Sequence, residues 1–167
     1  MAKGLFITRA DIVKNTSISG SVDVDKFLNF ILLAQEITIQ QLLGTELYEK
    51  IQTDIEGSNL SGNYLTLTTD LIKPTLIHAA MVQFLPFMSY TLGNKGIFKH
   101  TSENAEVASK EEVDYLVEKE RDIYQFYADR LIDHLSFYAA SRYPEYNQNT
   151  NEDISPITGV NFTGWVL

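Results

Sequence analysis

The 167-residue chain has no cysteine. That removes disulfide scaffolds, thiolate metal sites and cysteine nucleophiles together. It fits a reducing cytoplasm or a particle assembled there. No apolar run near the N-terminus, "MAKGLFITRADIVKN", is long enough for a signal peptide. The greasiest segment, residues 76–92, is broken by His78, Gln83, Pro86 and Ser89. It falls short of the roughly 20 residues of a spanning helix and reads as a core helix, so no membrane is expected. Basic residues are also scarce, with 13 Lys and Arg against 22 Asp and Glu, for a net charge of −9. Residues 103–133 hold ten acidic side chains against Lys110, Lys119, Arg121 and Arg130. A surface of that sign repels phosphate and disfavours gripping nucleic acid, although repulsion suits a wall past which DNA must slide.

What remains is enough for one domain with a real core. A short extended piece is expected at Leu5–Thr8, then a helical turn from about Arg9 and a polar loop, "NTSISGS". The first long helix is expected from Asp23 to Leu43, with Asp23 or Asp25 as its cap and Gly44 as a left-handed stop. Its apolar residues cover far more than the roughly 100° stripe of a surface helix. It must therefore be covered on more than one side. Thr45 is expected to cap a second helix, in which Leu47, Ile51 and Ile55 recur at i, i+4, i+8. "EGSNLSGNY" reads as a loop. A third helix, about Thr69 to Leu92, takes Pro74 in its first turn, kinks at Pro86 and ends at Gly93. Residues 94–108 are irregular or hairpin-like. Ser109 and Glu112 then form an S-x-x-E capping box for a fourth helix to about Ala140. Val113, Leu116, Val117, Ile123, Tyr124, Tyr127, Leu131, Leu135 and Tyr138 read as its core stripe, and the acidic residues take the other side. The fold class is all-α: a four-to-five-helix bundle over residues 1–145 with a long final helix, followed by an extended tail over 146–167. That tail is polar until Phe162, Trp165, Val166 and Leu167. It either packs back on the bundle or reaches a neighbour.

Motifs of chemistry are missing. His78, His100 and His134 have neither a Glu or Asp at i−3 nor a second His at i±4, so Glu-x-x-His metal pairs and H-E-x-x-H are absent. The calcium-loop likeness from Asp54 fails because Leu65 stands where a bidentate carboxylate is required. No phosphate loop, dinucleotide fingerprint or nucleophile elbow occurs. The carboxylates of the fourth helix share it with Lys119, Arg121 and Arg130, which is how a solvated face looks. Nine tyrosines without a basic groove do not make a stacking platform. No catalytic residue, cofactor or metal is expected, and the chain does not read as an enzyme.

Phe30-Ile31, Ala34-Gln35, Ile39, Leu43-Gly44 and Leu47-Tyr48 resemble the first helix pair of head-to-tail connector (adaptor) proteins of tailed bacteriophages. Pro74, Leu76, Ala79-Ala80, Leu85-Pro86 and Gly93, followed by Gly96-Ile97, look like that family's third helix and turn. A capped long last helix and a Tyr143-Pro144 stop complete the likeness over residues 3–145. It is most similar to connectors of phages infecting gut Bacteroidetes, the crAss-like group included. The resemblance implies a virion neck protein, made in the host cytoplasm, that forms a ring at the portal vertex, expected to be a dodecamer. Its partners would be other copies of itself, the portal protein and the next neck or tail protein, with DNA passing without specific binding. Phe27, Phe30, Leu33 and Ile37 of the over-apolar helix, with Phe162, Trp165, Val166 and Leu167 of the tail, are then the expected interface. Glu111, Asp114, Glu118 and Asp122 would form an acidic channel or exposed face. The competing reading is a small acidic binding protein of the DNA-mimic inhibitor type.

Overall fold

A computed structural model describes residues 4–18, 24–88, 90–93, 96–99, 108–148 and 153–158. Among these, eight α-helices and a two-stranded antiparallel hairpin are found. Helix α1 is Arg9–Asn15, α2 Val24–Ala34, α3 Gln40–Leu43, α4 Thr45–Glu56, α5 Gly62–Leu67, α6 Lys73–Phe84, α7 Lys110–Arg142 and α8 Pro144–Asn147. The architecture is the expected all-α bundle with a long final helix. Helix α6 is its centre and packs most extensively on α7 and α2.

The N-terminal arm is drawn inward. Phe6 and Ile7 are buried, and α1 starts on a reciprocal cap. The Thr8 N–H donates to Asp11 Oδ2 at 2.8 Å, while Thr8 Oγ1 accepts from the Asp11 N–H. Partial burial works against the Asp11 charge. The Thr8 hydrogen bonds and the Lys73 ammonium, 3.3 Å away, nevertheless hold its carboxyl below the usual range.

Two long helical runs each contain one wide turn. Helices α2 and α3 are joined without a break by a π-helical turn, Gln35–Ile39, in which the Gln40 N–H reaches back five residues to the Gln35 carbonyl. Gln35 is fully buried. Its Oε1 accepts from the Phe6 N–H at 2.9 Å, and its Nε2 donates to the Gly4 carbonyl at 3.0 Å and to Tyr48 Oη at 3.1 Å. The helix thus grips the arm with an amide that an apolar core would otherwise reject.

The third long helix begins seven residues before the expected Thr69, at Gly62, and runs through a second π-turn, Thr68–Ile72, into α6. Pro74 therefore lies inside a continuous helical run and not in its first turn. Proline has no N–H and its ring crowds the carbonyl four residues back; the wide turn immediately before it relieves that demand. The run also ends early. A single 3₁₀ turn at Leu85–Phe87 follows α6, and strand β1, Tyr90–Gly93, replaces the expected helical continuation to Leu92. It pairs with β2, Gly96–Lys99, placing Leu92 opposite Ile97.

Gly44 has φ +75° and ψ 160°. The positive φ matches the expectation; the high ψ is not that of a left-handed helical stop and belongs to a region open essentially to glycine. Gly44, not Thr45, is the N-cap of α4. Thr45 is the first helical residue, and its hydroxyl is directed to the tail. The Thr45 N–H donates to the Ile154 carbonyl at 3.0 Å, so the tail supplies an acceptor for one of the unpaired donors of α4. Thr45 Oγ1 donates to Asp153 Oδ2 at 3.0 Å and accepts from the Ile154 N–H at 3.2 Å. The Ile157 N–H donates to the Gln41 carbonyl at 2.9 Å. Residues 153–158 therefore lie along the α3–α4 elbow. Tyr146 of α8 is buried, so a boundary at 145 cuts through a helix that belongs to the core.

Candidate interaction surfaces

The core accounts for one face of α7. Ala128, Leu131, Ile132, Leu135 and Ala139 are its buried residues, all in the second half of the helix. Val113, Val117, Tyr124 and Tyr127 are half-buried on the same side. Leu116 and Ile123 leave the expected stripe, being 49% and 39% exposed. At 100° per residue they point about 110° and 130° from the middle of the buried arc, just beyond half-buried Tyr127.

They join a second apolar line. Tyr115, Phe126 and Phe137 are 58%, 58% and 79% exposed. Together with Leu116 and Ile123 they fall within an arc of about 100° and run about 33 Å along the helix. Two cations stand in the same arc. Lys119 Nζ lies 5.4 Å from the Tyr115 ring centre, and the Arg130 guanidinium lies 5.7 Å from that of Phe126. Such contacts keep the cation and the ring together at the surface. The stripe is therefore aromatic with charges of both signs, because Glu112 and Asp133 fall in the same arc.

The acidic residues form a third line on α7. Glu111, Asp114, Glu118 and Asp122 are all exposed and fall within about 80° of arc, between the core face and the aromatic stripe. The Ser109–Glu112 cap fixes where this line starts: the Ser109 N–H donates to Glu112 Oε2 at 2.7 Å, and Ser109 Oγ accepts from the Glu112 N–H. Glu111 titrates below the usual range because a first-turn backbone N–H, Ser109 and Lys110 favour its charge.

The expected interface of the first long helix divides. Phe27 is buried in its own subunit, edge-on to Phe84 at 4.5 Å, and offers nothing to a neighbour. Phe30 is half-buried between Phe84 and Phe87. Leu33 and Ile37 are 39% and 48% exposed. Phe162, Trp165, Val166 and Leu167 lie outside the described residues. The helix is apolar on more than one side: Gln35 and Ile39 are buried while Ile37 is exposed.

Two histidine contacts are structural. His78 Nδ1 lies 2.6 Å from Glu120 Oε2 and the ring stacks on Tyr127, joining α6 to α7. His134 Nε2 donates to Tyr143 Oη, which in turn donates to the Asn63 carbonyl. Among the described residues no group of three or more His, Asp or Glu could hold a metal ion. A shallow groove of about 250 Å³ between α6 and α7 is lined by Thr38, Ala79, Val82, Gln83, Arg121 and Tyr124. Arg121 is the only charged residue among them, so the groove does not assemble an acid–base pair. Among the described residues no helix is long and apolar enough to cross a membrane.

A model of a family of unknown function (DUF6712) matches residues 39–155, from the π-turn of the first long helix to the tail segment on the elbow. No curated protein and no solved structure matches the chain significantly.

Proposed function

The chain belongs to the DUF6712 family, and from its own surfaces we propose that it is a structural assembly subunit, a connector that forms a ring beneath a phage portal and joins head to tail. The observation that carries the reading is the second apolar face of α7. A helix needs one apolar stripe to fold on its own core. This one carries another, about 33 Å long, which its subunit leaves in water. Exposed aromatic and aliphatic side chains aligned on one helix face are the kind of surface that marks an interaction site.

The virion setting rests on the resemblance to head-to-tail connector proteins in Phe30-Ile31, Leu43-Gly44, Leu85-Pro86 and Tyr143-Pro144, not on the DUF6712 match. The acidic line Glu111–Asp122 suits a wall that DNA passes without adhering, since like charge repels the backbone. In this reading the chain is made in the host cytoplasm and ends in the neck at the portal vertex. Its work is mechanical, and it uses no cofactor.

The acidic line also supports a second reading, a DNA-mimic inhibitor of a DNA-binding enzyme. Neutralising Glu118 and Asp122, which are exposed, would abolish such binding and leave assembly intact. Quantitative mass spectrometry of purified phage particles separates the two. A closed ring on a portal gives about a dozen copies per particle; absence from particles overturns the connector and leaves the inhibitor.

A further inference from the structure

Residues 153–158 sit on the α3–α4 elbow as a ligand sits on a receptor. The elbow is anchored from below, where Leu42, Leu43 and Leu47 belong to the core cluster. Outward it presents the Thr45 N–H and hydroxyl, the Gln40 amide, the Gln41 carbonyl and a glycine without a side chain. The segment answers each of these. Asp153 Oδ2 accepts from the Thr45 hydroxyl at 3.0 Å and from Gln40 Nε2 at 3.4 Å. Ile154 bonds Thr45 through both its carbonyl and its N–H, and the Ile157 N–H meets the Gln41 carbonyl. Pro156 lies where a side chain at Gly44 would otherwise stand. The pattern Asp-Ile-x-Pro-Ile occurs once in the chain, although Asp-Ile alone recurs at Asp11, Asp54 and Asp122. Yet none of these six residues is buried. The segment is thus selected by specific polar contacts and gives up little apolar contact on leaving, as parts that open locally do.

We infer that the elbow takes this segment from a second copy as well as from its own chain, so that neighbouring subunits exchange residues 153–158. The inference deepens the reading of the chain as an assembling subunit, on which its use rests, and makes no use of the α7 stripe. Every contact above is the same whichever copy supplies the segment. Exchange therefore conserves the bonds, which is why swapping an identical element is a low-cost route between copies. Reach decides when it happens. Four residues, 149–152, stand between Gln148 and Asp153 and span at most about 17 Å with their flanking bonds. Only an elbow within that distance of a neighbour's Gln148 is available. A lone subunit keeps its own segment, because the tether favours it over a free one. Subunits held side by side gain a second elbow within reach, and the segment becomes a strap between them.

Two full-length variants test this by NMR. Asp153→Ala with Pro156→Ala disables a chain's own segment and leaves its elbow open. Gly44→Ala closes the elbow, since its Cβ would lie 2.7 Å from Pro156, and leaves the segment free. Circular dichroism checks that both keep the fold. When the unlabelled Gly44→Ala chain is added to the isotope-labelled open-elbow chain, the amide signals of Gly44 and Thr45 should move toward their wild-type positions. Unlabelled open-elbow chain should move nothing. Unlabelled wild-type chain in excess should act as Gly44→Ala does, more weakly, and serves in its place if that variant does not fold. A synthetic peptide of residues 151–160 should give the same shifts, and should bind about tenfold more weakly with Asp153→Ala, the loss of a hydrogen bond to a charged group. No shift at several millimolar peptide overturns the elbow as a docking site. Shifts with the peptide but none with either full chain overturn exchange between copies. Either failure leaves the ring to be decided by copy number in particles, whereas exchange in a protein absent from particles keeps the contact and removes the ring.

Discussion

Gln35 and Gly44 each hold a place that no similar residue can fill. Replacing Gln35 with Leu would leave the Phe6 N–H and the Gly4 carbonyl without their partner. An orphaned group of this kind costs about 1–3 kcal/mol, so Gln35→Leu should lower the melting temperature by several degrees although it makes the core more apolar. A Cβ on Gly44 would come within 2.7 Å of Pro156 Cγ and Cδ, at a φ of +75°. Gly44→Ala should therefore destabilise by about 1–3 kcal/mol from backbone strain alone, and should also release the tail segment, read as increased hydrogen exchange at Ile154 and Ile157. Gly44 could be picked out in the sequence as a helix stop, because glycine between two apolar helical patterns has few other uses. Its second duty could not, since Pro156 is more than a hundred residues away. His134 supplies a pH dependence. Burial, and then the Arg142 charge, depress its pKa below the ordinary 6.5. The unfolded chain thus binds this proton more readily, and the contribution favouring the fold is lost as pH falls through about 6.5. Thermal melts from pH 8 to 5 should show a smaller acid loss in His134→Gln than in the wild type.

At the scale of elements, the proposed assembly would divide α7 into a face that folds and a face that docks. Leu131 is fully buried, and Leu131→Ala should cost about 3 kcal/mol. Ile123→Ser with Phe126→Ser removes comparable apolar area from the exposed stripe; it should leave the melting temperature nearly unchanged while sedimentation shows that assembly is lost. A fall of several degrees would place the stripe in the core of its own subunit. The start of α7 was legible in the sequence because a capping box is local chemistry. Its faces were not separable by apolar content, since Leu116 and Val117 are neighbours in sequence yet point to different surroundings. The cue that was present is the width of the pattern: Leu116, Ile123 and Phe137 together with Leu131 and Leu135 span about 160° of the helix, more than one core stripe. The two π-turns were not legible either. Each adds one residue to a helical turn: the first coincides with the tertiary contacts of the Gln35 amide, and the second directly precedes Pro74, whose position within a longer helical run was not expected.

For the whole molecule, residues 153–158 of the tail are docked on the elbow, and the proposed assembly assigns a separate role to 159–167. Deleting residues 159–167 should leave helical content and melting temperature unchanged while weakening assembly, measured by sedimentation. Deleting 149–167 should lower stability as well, because it removes the Ile154 carbonyl from the start of α4 and the Asp153 carboxylate from Thr45. A drop in melting temperature from the shorter deletion would show that Phe162, Trp165, Val166 and Leu167 pack on their own domain. The helical architecture was readable from apolar spacing and punctuation. The docking of Asp153–Ile157 was not, because a polar, proline-containing stretch gains its place here from backbone partners supplied by the elbow.

That docking sets a radius of action. The residues beyond Thr158, 159–167, extend at most about 30 Å, so whatever Trp165 and Leu167 reach lies within that distance of the α3–α4 elbow. In the proposed assembly a contact made from these residues would therefore be effectively intramolecular, and contacts too weak to recruit a free peptide would still be occupied between neighbouring copies.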